Sequence, residues 1–418
     1  MMASGDSAEP DPLTAAAQAS ERVRGSADAG AGPPDLTFAF VSSHHAWAMR
    51  SITEHVHRLL EPERLVGTTC EAVVGSSHEL EGVPGVSLLA MWLPDVRVST
   101  FMVDDLIAPA PAPEIPSDDD ARIARAIDAS PDLRGTILLL DPYSVPISRL
   151  LPAMNRAIPA NAPLIGGMAS APRTPEGGGN VFALDDRIVD RGGIGVSFSG
   201  PIRIDAVVSQ GCRPIGPNLV ITKARANLIL ELGSRPALQV VQEILADMSE
   251  SERAALRRGL LLGRVADEYK QRFGVGDYLI RAMVGADQER SAIAVSEIIK
   301  VGQTVRLHVR DAQTATSDLG MLLDGQKLHG PPVGAMVFTC THRGSRLFGT
   351  PSHDVNAIQR AFKPMAGGQE LAKGGTAIAT ARDQIPVAGF FAAGEIGPVG
   401  QNAHFHGHTA SIALFRNR

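Results

Sequence analysis

Leu36-Thr37-Phe38-Ala39-Phe40-Val41, then Trp47, Ile52, Val56, Leu59 and Leu60 at helical spacing, then Leu65-Val66-Gly67-Thr68-Thr69-Cys70, form the stretch whose reading sets the fold. A short apolar run of this kind is a buried strand, and apolar residues recurring at i, i+3 and i+4 mark one side of a helix. A further strand, Val86-Ser87-Leu88-Leu89-Ala90-Met91-Trp92, follows the Gly82-Val83-Pro84-Gly85 turn, so the unit is β-α-β-β. The same order returns twice. Thr136-Ile137-Leu138-Leu139-Leu140, a helix over 146–158 and Leu164-Ile165-Gly166-Gly167 form a second copy. Ala335-Met336-Val337-Phe338-Thr339-Cys340, a helix over 352–362 and Val387-Ala388-Gly389-Phe390-Phe391 form a third. Gly67, Gly166 and Gly389 fall at equivalent places, each after two apolar residues, where a missing Cβ lets another backbone approach closely. Pro152 is expected to kink the second helix or delay its start.

Outward from these units, Ile202 to Val207, Leu219 to Thr222 and Asn227 to Leu232 read as strands, and Ala237, Leu238, Val241, Ile244 and Leu245 as one face of a helix. Tyr278 to Val284, Ala292 to Val295 and Val305 to Val309 read as further strands. A domain boundary is placed near Gly233. The expected class is α+β, with two domains of similar design over 35–233 and 234–418, built from repeated β-α-β-β units whose sheets are covered by helices. Residues 1–34, rich in Ala, Ser, Gly and Pro, are expected as a flexible arm, with a short helix from Pro12 only where Leu13 to Val23 finds a packing surface.

A chain of 418 residues exceeds one ordinary core, and 44% hydrophobic with 20% charged residues suffices for a packed interior. The net charge of −6 and the scattered Lys and Arg argue against a nucleic-acid surface, which needs clustered cations. Cys70, Cys212 and Cys340 are odd in number and far apart, with no CxxC pair, which fits a reducing compartment and no zinc motif. The N-terminus lacks a basic patch before an apolar core, and no run of 18 apolar residues occurs, so a cytoplasmic location without membrane insertion is expected.

Each first strand of a repeat ends in a polar loop: Ser42-Ser43-His44-His45, Asp141-Pro142-Tyr143-Ser144 and Thr341-His342-Arg343-Gly344. Loops at strand C-termini of α/β sheets commonly bind ligands, which makes His44, His45, His342 and Arg343 candidates. The run Gly394-Glu395-Ile396-Gly397-Pro398-Val399-Gly400-Gln401-Asn402 supplies glycines, a carboxylate and an amide suited to a small polar molecule or, alternatively, to a structural turn. His404, His406 and His408 alternate, a spacing that on a strand permits a metal or haem, although Gly407 interrupts it and no clustered carboxylate or thiolate completes a shell. Cys212 and Cys340 become nucleophiles only if a histidine lies within reach; GxSxG, P-loop and HExxH motifs are absent.

At these residues the chain resembles the FIST family, sensory proteins named for F-box and intracellular signal transduction. The N-terminal FIST domain resembles Phe40 to Ile221, through Phe40-Val41-Ser42, Leu65-Val66-Gly67 and Gln210-Gly211-Cys212-Arg213-Pro214-Ile215-Gly216. The C-terminal domain resembles Arg235 to Phe415, through Cys340, Arg343-Gly344, His353-Asp354, Gly389-Phe390-Phe391, Gly394-Glu395-Ile396-Gly397-Pro398 and His406-Gly407-His408-Thr409-Ala410-Ser411. The resemblance implies sensing of small ligands, amino acids among them, with some members binding haem and responding to nitric oxide. Neither an F-box in the N-terminal arm nor an output domain after Phe415 is expected, and a separate downstream signalling protein is expected as partner. The expectation is a stand-alone, non-enzymatic sensor with a ligand site built from Arg343, His353, Glu395, Gly397, Asn402 and His406, joined by His44 and Cys212. Glu395 would meet a ligand amine and Arg343 a carboxylate in bidentate fashion. A haem-based gas sensor and a Cys-His hydrolase are the alternatives; the cofactor is left open, with haem the one considered.

Overall fold

A computed structural model of the chain describes residues 1–106, 120–174, 177–249, 253, 255–256, 259–363 and 384–418. Three six-stranded sheets and a seven-stranded one carry the chain. The first sheet runs Met2–Ser7, Val86–Met91, Leu36–Ser42, Arg64–Cys70, Phe182–Leu184, Arg187–Val189 across its width. The second runs Asn402–His406, Glu395–Val399, Leu164–Met168, Leu133–Leu140, Gly193–Ser199, Arg97–Met102. The third runs Ile202–Gln210, Thr409–Asn417, Gly334–Cys340, Val387–Ala392, Val73–Val74, Glu79–Leu80. Each of the three sheets holds one parallel pair, and those pairs are the three repeats: Leu36–Ser42 with Arg64–Cys70, Leu133–Leu140 with Leu164–Met168, and Gly334–Cys340 with Val387–Ala392.

Alternation along the first strands explains how the sheets assemble. Phe38 and Phe40, Ile137 and Leu139, and Met336 and Phe338 all point into one shared core, while the residues between them face helices. Ala39 and Val41 meet the helix Met49–Leu60, Leu138 and Leu140 meet Ile147–Ala157, and Ala335 and Val337 meet Ala312–Gln326 and His353–Phe362. The glycine equivalence holds in three dimensions. Gly67, Gly166 and Gly389 lie opposite Ala39, Leu138 and Val337, and a Cβ there would stand 2.7, 2.1 and 1.9 Å from the partner's carbonyl oxygen.

In the remaining sheet, Cys212–Arg225, Thr304–Arg310, Leu260–Val265, Tyr278–Asp287, Ala292–Val295 and Leu228–Leu232 follow one another, and pairing between Cys212–Arg225 and Leu228–Leu232 closes the ring. Its interior is filled by apolar residues such as Ile215, Ile229, Leu262 and Leu307, capped by the helix Ala237–Ala246. Strands from both halves of the chain share the second, third and barrel sheets, so hydrogen bonding is continuous across the region of Gly233.

The expectation of a flexible arm over 1–34 is corrected. Met2–Ser7 is an edge strand paired with Val86–Met91, and Pro12–Ser26 is a helix. Asp11 accepts the Thr14 amide at 2.8 Å as its N-cap, and Pro12 takes the first turn, where an N–H is not needed. The surface that this helix required exists: Ala15, Ala16, Ala19 and Val23 pack on Ala3, Leu88 and Val56, and Gly5 lets the Ala19 carbonyl approach. Pro152 lies inside the helix Ile147–Ala157, on its exposed side. Among the described residues no helix is long and apolar enough to cross a membrane.

Gly389→Ala places a methyl against the Val337 backbone in a packed sheet, and we expect it to destabilise the protein by about 2 kcal/mol or more in denaturant unfolding. Gly285→Ala, where a Cβ meets nothing within 4 Å, is the matched control and should change stability by less than about 0.5 kcal/mol.

Candidate functional site

The three polar loops at the strand C-termini differ in how far they satisfy themselves. In the first, Ser42 Oγ accepts the Gly85 amide and His45 Nε2 lies 3.0 Å from the Glu9 carbonyl. In the second, Asp141 accepts from the Ser144 amide and hydroxyl at 2.8 and 2.6 Å and from Asn180 Nδ2 at 2.8 Å. Both are internally completed turns. The third, Thr341-His342-Arg343-Gly344, turns inward and buries a guanidinium.

Arg343 is 1% exposed, and its Nε and Nη2 each donate to Asp354 at 2.8 Å. Asp354, equally buried, also accepts from Thr339 Oγ1 at 2.7 Å and faces His353 Nδ1 at 2.9 Å. Burial works to raise the Asp354 carboxyl, but Arg343 and the hydrogen bonds from His353 and Arg343 prevail and hold it well below the usual range. Phe348 lies between, with the Arg343 guanidinium 5.3 Å from its ring and the His353 ring stacked on it. Glu79, brought by the short strand Glu79–Leu80, accepts the Asp354 and Val355 amides at 2.9 and 3.0 Å at the first turn of the helix His353–Phe362. Burial and the Asp354 carboxylate raise its pKa to about 8.

Beside this pair two chain crossings meet. At Gln210-Gly211-Cys212 the chain leaves the third sheet and enters the barrel; at Ala393-Gly394 it leaves the third sheet and enters the second. The first crossing approaches Arg343, since a Cβ on Gly211 would stand 3.2 Å from its Nη1. Asp318 secures the same crossing by accepting from Ser209 Oγ and the Gln210 amide at 2.8 and 2.9 Å. Past the second crossing, Glu395 is fully buried and its Oε2 accepts from the Thr409 amide and hydroxyl at 3.1 and 2.6 Å. His406 lies directly opposite Glu395 in antiparallel register, hence on the same face, and its Nε2 donates to the Gly397 carbonyl at 3.0 Å. That bond leaves Nδ1 as a lone pair.

Four polar atoms of this cluster are buried without a nitrogen or oxygen hydrogen-bond partner among the described residues, Gln210 Oε1, Arg343 Nη1, Glu395 Oε1 and His406 Nδ1, and the Cys340 thiol lies against the Glu395 carboxyl. Burial raises Glu395 to about 8, against the lowering effects of Thr409 and Arg343, and lowers His406 to about 3. Burial likewise raises the Cys212 thiol to about 12 and, with Glu395, the Cys340 thiol well above its ordinary value. Thiols held protonated in this way are poor nucleophiles.

The structure therefore gathers Arg343, His353, Glu395, His406 and Cys212 into one neighbourhood, and separates two other candidates from it. His44 is exposed on the short 3-10 helix Ser43–Ala48 beside the first sheet. Asn402 is exposed at the far end of its hairpin from Glu395, about 13 Å away at ~3.3 Å per residue. The glycine-rich run is a β-hairpin and not an open cradle. Gly397 is packed against Val208 and Ser411, Gly394 against Phe405, and of these glycines Gly400 has positive φ, in the turn. Arg343 does not present a bidentate fork to a ligand, because Asp354 already occupies it. Three residues that the sequence reading left without a role hold the cluster together: Asp354, Asp318 and Glu79. A buried arginine demands a carboxylate, which points to Asp354 close by in the chain; no sequence signal ties Glu79 to a helix 275 residues away.

A haem requires an axial imidazole facing an apolar slot. His406 is engaged by Gly397 with Arg281 nearby, and His404 lies near Arg264, Arg281 and Glu297, so these residues do not fit that group. A cleft of about 510 Å³ lined by Arg213, Asp311, Thr314, Asp318 and Met321 opens on the outer side of the Ser209–Gln210 segment that Asp318 anchors.

Fold and cluster together define a two-part α+β protein with a buried polar site at the seam between its sheets. The FIST N domain model matches residues 35–235 and the FIST C domain model residues 237–398. The chain belongs to the FIST-domain family, whose domains are associated with sensing in signal transduction. It is 36% identical over 414 residues to an uncharacterized protein of Mycobacterium tuberculosis strain H37Rv, covering 98% of both chains. It is 36% identical over 406 residues to an uncharacterized protein of Mycobacterium bovis, covering 96% of this chain and 94% of the relative.

Breaking the buried ion pair strands a charge, so Asp354→Ala should lower unfolding stability by about 3–5 kcal/mol, more than Arg346→Ala at the exposed Arg346–Glu71 pair, which should lose under about 1 kcal/mol. Glu79 gives a pH signature of definite sign. Its folded pKa is raised, so between about 4.5 and 8 the folded state holds a proton that the unfolded state has lost, and stability falls as pH rises through that window. Glu79→Gln should flatten the decline, gaining up to a few kcal/mol at pH 8 relative to pH 5 in parallel denaturant titrations.

Proposed function

We propose that the protein is a non-enzymatic intracellular sensor that binds a small polar ligand, an amino acid or a related metabolite, in the Arg343–Glu395–His406–Gln210 cluster and signals through a separate partner. The observation that carries this reading is the set of four buried, unpartnered polar atoms in one cluster. Native interiors leave few such groups, and several together are completed by water or by a guest. Their chemistry suits a zwitterion: Arg343 Nη1 donates to a carboxylate, Gln210 Oε1 and His406 Nδ1 accept from an ammonium, and Glu395 Oε1 joins them once the ammonium beside it draws the carboxyl into its ionised form. The cleft beside Asp318 provides an approach of a size that small-molecule sites commonly have. Catalysis has no part in this reading, in keeping with the protonated, buried thiols.

The output in this reading is a population shift. The helix Ala312–Gln326 lines the cleft through Thr314, Asp318 and Met321 and exposes Met321 and Leu322 to solvent. Movement of Asp318 on ligand entry would be passed along that helix to a docking protein.

A thermal-shift screen of free amino acids and their amide, keto and decarboxylated relatives tests the proposal. A true ligand at about one hundred times its Kd should stabilise the fold by about 2.7 kcal/mol. Gln210→Leu and Glu395→Gln should each weaken binding at least about tenfold by calorimetry, one lost charged or neutral hydrogen bond being worth roughly 1–3 kcal/mol. Asn402→Ala and His44→Ala should leave it unchanged. Stabilisation by none of these compounds, or equal binding by Glu395→Gln and Asn402→Ala, would sink the assignment.

A further inference from the structure

Cys340, His342 and His408 form a second cluster on the solvent side of the polar site. The Cys340 Sγ and one ring nitrogen of each histidine all lie within 4.8 Å of one another, and Cys340 Sγ is 3.8 Å from His342 Nδ1. Donors held 2.3 Å (sulfur) and 2.0–2.1 Å (nitrogen) from one ion stand roughly 3.3–3.8 Å apart in tetrahedral or trigonal geometry, so small side-chain rotations close the set. Backbone placement makes the convergence: Cys340 ends the strand Gly334–Cys340, His342 follows in the loop, and His408 sits in the link between the strands Asn402–His406 and Thr409–Asn417. His408 is held at φ +62°, in the left-handed region, where histidine is among the non-glycine residues found most readily.

A second observation is independent of the distances. His408 Nδ1 is buried and has no hydrogen-bond partner among the described residues, although its ring lies 5.2 Å from that of His342. An imidazole nitrogen sealed from water in this way lacks a donor or a Lewis acid.

We propose that Cys340, His342 and His408 bind a thiophilic d10 metal ion, Zn²⁺ or Cu⁺, with the fourth position left to water or a small anion. Thiolate with two imidazoles is the donor set that such ions prefer over hard cations such as Mg²⁺ or Ca²⁺. The ion enters from the side of His342, which is exposed, while Cys340 closes the site from within. Binding displaces the thiol proton to solvent and forms a sulfur–metal bond, with no change of oxidation state. The charged groups nearest the cluster are Arg310 beside both imidazoles, Arg346 and Glu71 beside His342, and Glu395 and Arg343 beside Cys340. Arg310 beside both imidazoles favours an anionic fourth ligand and an ion of low charge.

The test uses the full-length, reduced, metal-free chain. For the Zn²⁺ arm it is titrated with Co²⁺, and for the Cu⁺ arm with Cu⁺ against a competing bicinchoninate chelator. The expected result is one equivalent bound, with a thiolate-to-cobalt charge-transfer band or withdrawal of Cu⁺ from the chelator, the better-held ion identifying the arm. Cys340→Ser should abolish the band, His342→Ala and His408→Ala should each weaken binding at least tenfold, and Cys70→Ser should have no effect. If Cys340→Ser fails to fold by circular dichroism, His342→Ala decides, because that side chain is exposed on a loop. Absence of both signals, binding unaltered in His342→Ala, or a band that survives in Cys340→Ser overturns the proposal. None of these readouts depends on the amino-acid screen, so the two ideas stand or fall separately.

Discussion

A guanidinium sealed from water must be neutralised and hydrogen-bonded in place, and at Arg343 that condition organises everything nearby. Asp354 supplies the countercharge by two parallel hydrogen bonds, and this requires the helix His353–Phe362 to begin at the mouth of the strand Gly334–Cys340. Glu79 then engages the first amides of that helix, which ties the Val73–Leu80 segment to the same point. One buried charge therefore fixes the mutual placement of segments hundreds of residues apart. The pair is an aid to specificity of arrangement more than to net stability, since desolvation offsets much of the attraction.

Around that point the three repeats take different roles. All three place a parallel strand pair against a common apolar core and a helix on the outer face, and each uses a glycine where the two strands come closest. In the first two the loop after the strand closes on itself through Ser42 or Asp141. In the third the chain must also pass between sheets, once at Gly211 and once at Gly394, and backbone crossings of this kind leave side chains facing a junction where no regular ladder satisfies them. The unpartnered atoms of Gln210, Glu395 and His406 collect there for that reason.

The junction also joins two environments of different polarity. Glu395 and His406 are buried deeply enough that burial favours their neutral forms at neutral pH, while Arg343 and Asp354 remain charged because each satisfies the other. Neutral and ionised groups in contact give the junction both donors and acceptors without a large net charge. At its outer edge, Cys340, His342 and His408 add softer donors within reach of solvent.

Local pattern determined a good deal on its own. Apolar runs with period two or helical spacing located the strands and helices of all three repeats, and the apolar-apolar-glycine triplets identified positions that prove equivalent in the sheets, because these features depend on neighbours in the chain. The motifs around Cys212, Arg343, Glu395 and His406 were legible as unusual, and the α+β class with them. Tertiary structure alone decided the rest. It made residues 1–34 a strand and a helix by offering Leu88 and Val56 as a packing surface; it turned the glycine-rich run into a hairpin that carries Asn402 away from Glu395. It also gave the fork of Arg343 to Asp354 and brought Glu79 to the helix end. Each of these outcomes depends on which distant surfaces desolvate one another, and that is set by how the sheets stack, a relation that no local spacing encodes.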